Sequence, residues 1–123
     1  MKALFLAGLG SMAGGMARYA LSNAVNGRMW LGFPIGTLLV NLAGCLLMGF
    51  LIGAAAKNPA LKTWLPLLGA GMLGGFTTFS AFSAESVLML ETGKFNALFW
   101  YLLISVAGGI ALTWMAYRSS GGG

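Results

Sequence analysis

Four apolar stretches organise this chain: residues 3–17, 30–56, 63–84 and 95–117. Charged residues set their ends, with Lys2 and Arg18 around the first, Arg28 and Lys57 around the second, Lys62 and Glu85 around the third, and Lys94 and Arg118 around the fourth. A membrane-spanning helix needs about 20 mostly apolar residues. The last three stretches meet that length, and the first meets it only if Arg18 is accommodated inside a longer helix. The connections are short: NGR at 26–28, KNPALK at 57–62 and ETGK at 91–94. Pro34 is expected at a helix start and Pro59 in a loop, the places proline tolerates best. Trp30, Trp64, Trp100, Tyr101, Trp114 and Tyr117 fall near run ends, as an interfacial aromatic belt would. The pattern predicts an all-α membrane protein of four transmembrane helices. Residues 1–118 form one four-helix transmembrane domain, and residues 119–123 a flexible tail or an expression remnant. Lys2 before an apolar run has the form of a signal peptide, but the other spans already place the chain in a membrane, so the run is read as the first span.

Composition sharpens the class. The chain is 59% hydrophobic and only 7% charged over 123 residues, which leaves no charged surface for a soluble domain. A formal net charge of +5 could suggest nucleic acid, but no basic face or aromatic-basic module is present to bind it. The Lys and Arg residues mark loop ends instead. There is no histidine, two acids and a single cysteine, Cys45, inside an apolar run. Disulfide, metal-cluster and most acid–base chemistry are therefore not expected, and neither is an enzyme.

Glycine recurs twenty times. Gly10 with Gly14, and Gly49 with Gly53, have the spacing that lets helix backbones approach closely in lipid. Plain helix packing is the expected role of Gly49, Gly53, Gly108 and Gly109. Polar residues within the spans carry more information. Arg18 is either a snorkelling helix-end residue or an anion attractor at a pore mouth. Asn41, in the middle of GTLLVNLAGC, is either interhelical glue worth about 0.6–2 kcal/mol or a donor to an anion. Position alone leaves both pairs of readings open. Thr37 lies four residues before Asn41, on the same helix face. Tyr101, Ser105 and, past Gly109, Thr113 repeat that spacing in the fourth run. Together these residues supply donors without a buried base, which suits an anion better than a proton or a cation.

The segment GGFTTFSAFS, residues 74–83, is poor helix sequence in the midst of a span. Non-helical backbone at membrane depth survives only where protein or water covers it. A break there would free carbonyls to hold a cation and amides to hold an anion. Phe76, Phe79 and Phe82 are core or lipid-facing rings on the plainest reading, but ring edges carry the positive part of the aromatic quadrupole and could attract a passing anion.

Three ordered motifs, GGMARY (14–19), GTLLVNLAG (36–44) and GGFTTFSAFS (74–83), resemble those of the Fluc family of fluoride channels, also called CrcB proteins. The likeness covers nearly the whole chain. It implies a dual-topology, antiparallel homodimer of four-helix subunits in the cell (inner or plasma) membrane, the third helix broken near its middle. Two pores and a central structural Na+ come with it. By resemblance Asn41, Phe79 and Phe82 line the fluoride path, and Tyr101, Ser105 and Thr113 form its polar track. Arg18 is the vestibule arginine, Thr37 and Glu85 a polar pair near the pore, and the carbonyls of Gly74 and Thr77 from each subunit the sodium ligands. Gly109 and Ala81 depart from the pattern, standing where many members carry serine and threonine.

Three functions compete on the sequence. A fluoride channel would passively export the anion that accumulates when hydrogen fluoride enters and dissociates, lowering its toxicity. A proton-coupled exporter of the small multidrug-resistance type needs a titratable carboxylate in the first helix, and residues 1–17 hold none. A non-transporting scaffold would not require Asn41 together with Phe79 and Phe82. The channel reading leads.

Overall fold

The computed structural model describes residues 1–26 and 33–123, nearly all of them helical. Arg28 and Trp30, placed at the start of the second apolar run, lie outside the described residues. Helix α1 spans Lys2–Asn26 and α2 spans Ile35–Lys57. Two further long helical stretches follow, Pro66–Glu91 and Phe95–Ser120; they answer to the third and fourth apolar runs of the sequence and are called the third and fourth spans by that order alone. Of the described helices, α2 and the third and fourth spans are long and apolar enough to cross a membrane.

The boundaries differ from the charge pattern in ways the backbone explains. Helix α1 does not stop at Ala17 but runs on through Arg18, reaching 25 residues, or about 37 Å at 1.5 Å per residue. Pro34 sits just before α2, as expected, because its missing N–H and fixed φ suit a helix start. Pro59 is not in an open loop. It begins a one-turn helix, Pro59–Lys62, whose Ala60 N–H donates to the Asn58 side chain at 3.1 Å. The third span extends past Glu85 to Glu91, so that acid lies inside a helix rather than at its end. It closes where Gly93 takes φ +73°, with Lys94 N–H donating to Met89 and Gly93 N–H to Leu90. That left-handed residue is why a glycine stands in ETGK. The fourth span continues through Ser119 to Ser120, whose hydroxyl donates to the Tyr117 carbonyl.

Both long C-terminal spans are irregular. The third opens with a π-helical stretch, Pro66–Leu73, after which the Gly74 N–H reaches back five residues to Gly69. The fourth contains another, Ile104–Gly108. Such wide turns gather at functional sites. After one further turn, Gly74–Phe76, the third span breaks: Thr77 (φ −82°, ψ 156°) and Thr78 (φ −147°, ψ 120°) are extended before helix resumes over Phe79–Glu91.

Glycine packing sets the arrangement. Helix α1 lies along the first half of the third span, and α2 along the last part of the fourth. At the first contact Gly10 meets Gly71, Gly14 meets the backbone of Met72 and Phe76, and Gly75 meets the backbone of Ser11. A Cβ on Gly14 would overlap the Met72 carbonyl oxygen, and one on Gly75 would lie 2.7 Å from the Ser11 carbonyl oxygen. At the second, Gly49 and Gly53 lie against the backbone of Thr113 and Tyr117, as the packing reading expects. The buried centre is small: Leu38, Met89 and Tyr101, edged by Phe33, Leu42, Phe82 and Leu98. Tyr101 is fully buried there and is no belt residue, whereas Trp64, Trp100 and Trp114 are exposed. Leu4, Phe5, Leu9, Met12 and Met16 leave α1 with an apolar outer face.

Gly14→Ala forces a methyl group into backbone, which neither helix can absorb by a rotamer change. Overpacking of this kind costs about 1–3 kcal/mol. Gly8, earlier in the same helix, is open: a Cβ there would have nothing within 4 Å. The expected result is a lower thermal midpoint for Gly14→Ala in detergent and little change for Gly8→Ala. Equal midpoints would mean that the two helices are free to separate.

Candidate functional site

The break at Thr77–Thr78 creates a hydrogen-bonding deficit, and the site is what answers it. In an unbroken helix the Gly74 carbonyl would accept from Thr78 N–H and the Thr77 carbonyl from Ala81 N–H. Instead Thr78 N–H donates to Asn41 Oδ1 at 2.8 Å, and Asn41 Nδ2 donates back to the Thr78 carbonyl at 3.0 Å. The side-chain amide thus matches both groups of one extended residue, as a neighbouring strand would. Ala81 N–H donates to Thr78 Oγ1 at 3.2 Å, so Thr78 also caps the resumed helix. Arg18 donates through Nε to the Gly75 carbonyl at 3.3 Å. Helix α1 positions it: Gly10, Gly14 and Arg18 follow one another at four-residue spacing, and the glycine contact brings the guanidinium to the break. Gly44 gives room on α2 for the Thr77 methyl group, which a Cβ would overlap. The carbonyls of Gly74 and Thr77 therefore lose their helical donors, while Gly75 gains one from Arg18.

A second cluster lies beside it. Glu85 accepts from Thr37 Oγ1 at 2.7 Å on one carboxylate oxygen and from Tyr101 Oη at 2.8 Å on the other. Two hydroxyls on two different helices hold one acid, and both residues that hold it are buried. Aromatic rings connect this cluster to the break. Tyr101 lies 5.2 Å from Phe82, centroid to centroid, and Phe82 lies 5.7 Å from Phe79. Phe33 meets Tyr101 edge-on at 84°. Phe79 is 79% exposed, so its ring stands outside the chain's own core.

An open-sided cavity of about 270 Å³ lies at the break, lined by Asn41, Thr78, Phe79, Phe82 and Ser105 among others. Ser105 Oγ is buried and has no hydrogen-bond partner among the described residues. Thr113 lines an adjoining cavity of about 480 Å³, with its hydroxyl donated to the Cys45 carbonyl at 2.9 Å.

The structure therefore brings together Asn41, Phe79, Phe82 and Ser105, and separately Thr37, Glu85 and Tyr101. Arg18 meets the backbone of the break, and Thr113 lies one cavity along. The sequence did not reveal the Asn41–Thr78 pairing, the capping role of Thr78 or the Arg18–Gly75 contact. A threonine between a double glycine and a helix-forming run, TTFSA, carried the capping signal. The partners across helices carried none.

Asn41→Ala removes both bonds to Thr78 and leaves a part-buried N–H unpaired, costing about 1–3 kcal/mol locally. Backbone amide exchange at Thr78 is then expected to accelerate by roughly tenfold or more, since 1.4 kcal/mol is one decade. Unchanged protection at Thr78 in this variant would mean that Asn41 does not hold the break.

The profile of the family described as "CrcB-like protein, Camphor Resistance (CrcB)" matches residues 5–117. Among similar proteins, the "Fluoride-specific ion channel FluC" of Phenylobacterium zucineum is 47% identical over 115 residues, covering 90% of this chain and 89% of that one. The protein of that name in Oceanobacillus iheyensis is 38% identical over 119 residues, covering 96% and 91%. Its counterpart in Coxiella burnetii is 44% identical over 111 residues, covering 87% and 88%. A match of this extent runs through all three motifs that build the break and its clamp, and the chain belongs to the CrcB family of multi-pass membrane proteins.

Proposed function

We propose that the protein is a fluoride-selective channel, a transport protein and not an enzyme, which lets fluoride leave the cytoplasm passively. The observation that carries the reading is the combination in one cavity of an asparagine amide, a ring pair and an unpartnered serine hydroxyl, with no base among the cavity's lining residues. One Asn41 Nδ2 proton goes to Thr78, which leaves the second free for an ion. The name shared by relatives up to 47% identical points to the same anion. The small multidrug-type exporter lacks its carboxylate, since α1 contains no acid.

The finer architecture follows from the same features. Helix α1 reads as a membrane span as well, making four in all, with its Arg18 charge held at the break. The exposed Phe79 ring and the outer face of α1 call for a covering partner, and a second, antiparallel copy supplies one. Two copies would give two pores. The Gly74 and Thr77 carbonyls suit a structural Na+: they are hard oxygen donors left without helical N–H partners, and lipid cannot solvate them. Such an ion would supply positive charge that holds the two breaks together, while Asn41 and Arg18 keep the neighbouring backbone in place. With four spans, Lys2, Lys57, Lys62 and Arg118 share one side, and Arg18, Arg28 and Lys94 the other. Four against three is almost no bias, and orientation follows the Lys/Arg bias of short loops. Counting Arg18 as embedded makes it four against two, a weak preference that an antiparallel pair still tolerates.

Fluoride efflux from liposomes holding the purified protein, with chloride as control, tests the function. Phe79→Ile and Phe82→Ile keep apolar bulk but delete the ring quadrupole. An edge contact worth about 1.4 kcal/mol to the ion in transit corresponds to roughly tenfold in rate, so each variant should lose about that much flux while eluting normally on gel filtration. Full conduction by both would reduce the rings to packing.

Orientation is tested separately. Asn58→Cys and Thr92→Cys, each in a Cys45→Ser background, should both label partially from outside intact cells. Labelling at one site alone means a single orientation, and the antiparallel dimer would have to be abandoned.

A further inference from the structure

Several of the donors in and beside the cavities are already committed. Tyr101 and Thr37 give their hydroxyl protons to Glu85. Thr113 gives its proton to the Cys45 carbonyl, and Thr77 gives its own to the Leu73 carbonyl. Beyond Asn41, the Ser105 hydroxyl is buried with no partner among the described residues. A buried hydroxyl without a partner is costly, so its proton awaits something that enters the cavity.

What lies beside it is Cys45. The two cavities, about 270 and 480 Å³, share Cys45, Ser105 and Val106 as lining. Cys45 follows Asn41 by four residues and so lies one turn along the same face of α2. Across from it stands Gly109, and a Cβ there would be 3.2 Å from Cys45 Sγ. The thiol therefore occupies the place where a side chain at position 109 would project. The missing side chain at Gly109 and the thiol at Cys45 are one packing solution, made from opposite helices.

We propose that the Cys45 thiol and the Ser105 hydroxyl form an anion station where the two cavities meet, one helical turn beyond Asn41. The inference rests on the channel reading and deepens it. At this station the ion accepts from Ser105 O–H and from the weaker S–H donor of Cys45, and Gly109 keeps the passage open. Thr113, its proton spent on the Cys45 carbonyl, fixes the α2 backbone behind the thiol rather than meeting the ion.

Cys45 is the chain's single cysteine, so a thiol reagent has one target. The test measures fluoride efflux from proteoliposomes in chloride-free nitrate buffer, before and after silver nitrate. Silver replaces the thiol proton, S–H plus Ag⁺ giving S–Ag plus H⁺, and puts a bulky cation-bearing group at the junction. Silver should abolish efflux through the unmodified protein, and excess dithiothreitol should restore it. Each variant is compared with its own untreated rate, and whichever of Cys45→Ser and Cys45→Ala conducts should be indifferent to silver. Undiminished efflux from protein that mass spectrometry shows to carry silver would overturn the station. So would a thiol that silver never reaches, or equal inhibition of a conducting Cys45 variant. Absence of fluoride efflux before silver would be a different failure, that of the channel reading itself.

Discussion

Lipid offers no hydrogen bond to a peptide group, and the rest of this structure follows from that constraint at Thr77–Thr78. Two extended residues in the middle of a span expose N–H and C=O groups that must find partners inside the protein. Asn41 answers both groups of Thr78 at once, an arrangement no hydroxyl or aliphatic residue can reproduce from one side chain. Arg18 answers Gly75, and Thr78 answers Ala81 with its own side chain. An asparagine, an arginine and a threonine are each costly in hydrocarbon, yet here each removes a larger cost. Holding the break does not compete with the ion-donor role proposed for Asn41. The amide has enough protons to hold the break with one and present another to the cavity.

The clamp works only if the helices approach closely enough for short side chains to reach. Asn41 spans from α2 to the break because Gly44, one turn away, lets the Thr77 methyl group settle against the helix. Arg18 reaches Gly75 because Gly10 and Gly14 seat α1 closely against Gly71 and the backbone of Met72 and Phe76. Packing and chemistry are thus the same residues read twice: a larger side chain at any of these glycines would lengthen the distance that the polar groups must bridge. Close packing of this kind, rather than a large apolar core, is what can hold helices together where the solvent is itself apolar.

Much of this was legible in the sequence because it is local. Periodic apolar runs bounded by charge mark the spans, and a double glycine before two threonines marks the break. The GxxxG spacing marks the faces that touch. Boundaries were less legible wherever a charged residue is internal: Arg18 and Glu85 look like ends of apolar runs but lie within helices, because each has its partners on another helix. Tyr101 read as a belt residue from its place beside Trp100, and only the fold turns it inward to Glu85 and Phe82. Pairings across 37 or 57 positions, such as Asn41 with Thr78 or Arg18 with Gly75, have no signature in a single sequence. The family resemblance supplied residue roles for Asn41, Phe79 and Phe82, but not the partner that each residue takes.

Proton accounting gives the site its direction. The Thr37 and Tyr101 hydroxyls point their protons at Glu85, so that cluster keeps neither hydroxyl proton free for an anion. The cavity beside the break is the reverse: its carbonyl at Thr78 is covered by Asn41, and the serine across from it keeps its proton. On the proposed channel reading, an anion entering this cavity would meet free donors beside satisfied acceptors, with the Phe79 and Phe82 rings in its lining. A cation would find the opposite, since the oxygens of Gly74 and Thr77, left without helical donors, belong to the backbone of the break. On the proposed reading, the same interruption of one helix would separate the two signs of charge, acceptors into the backbone and donors into the cavity.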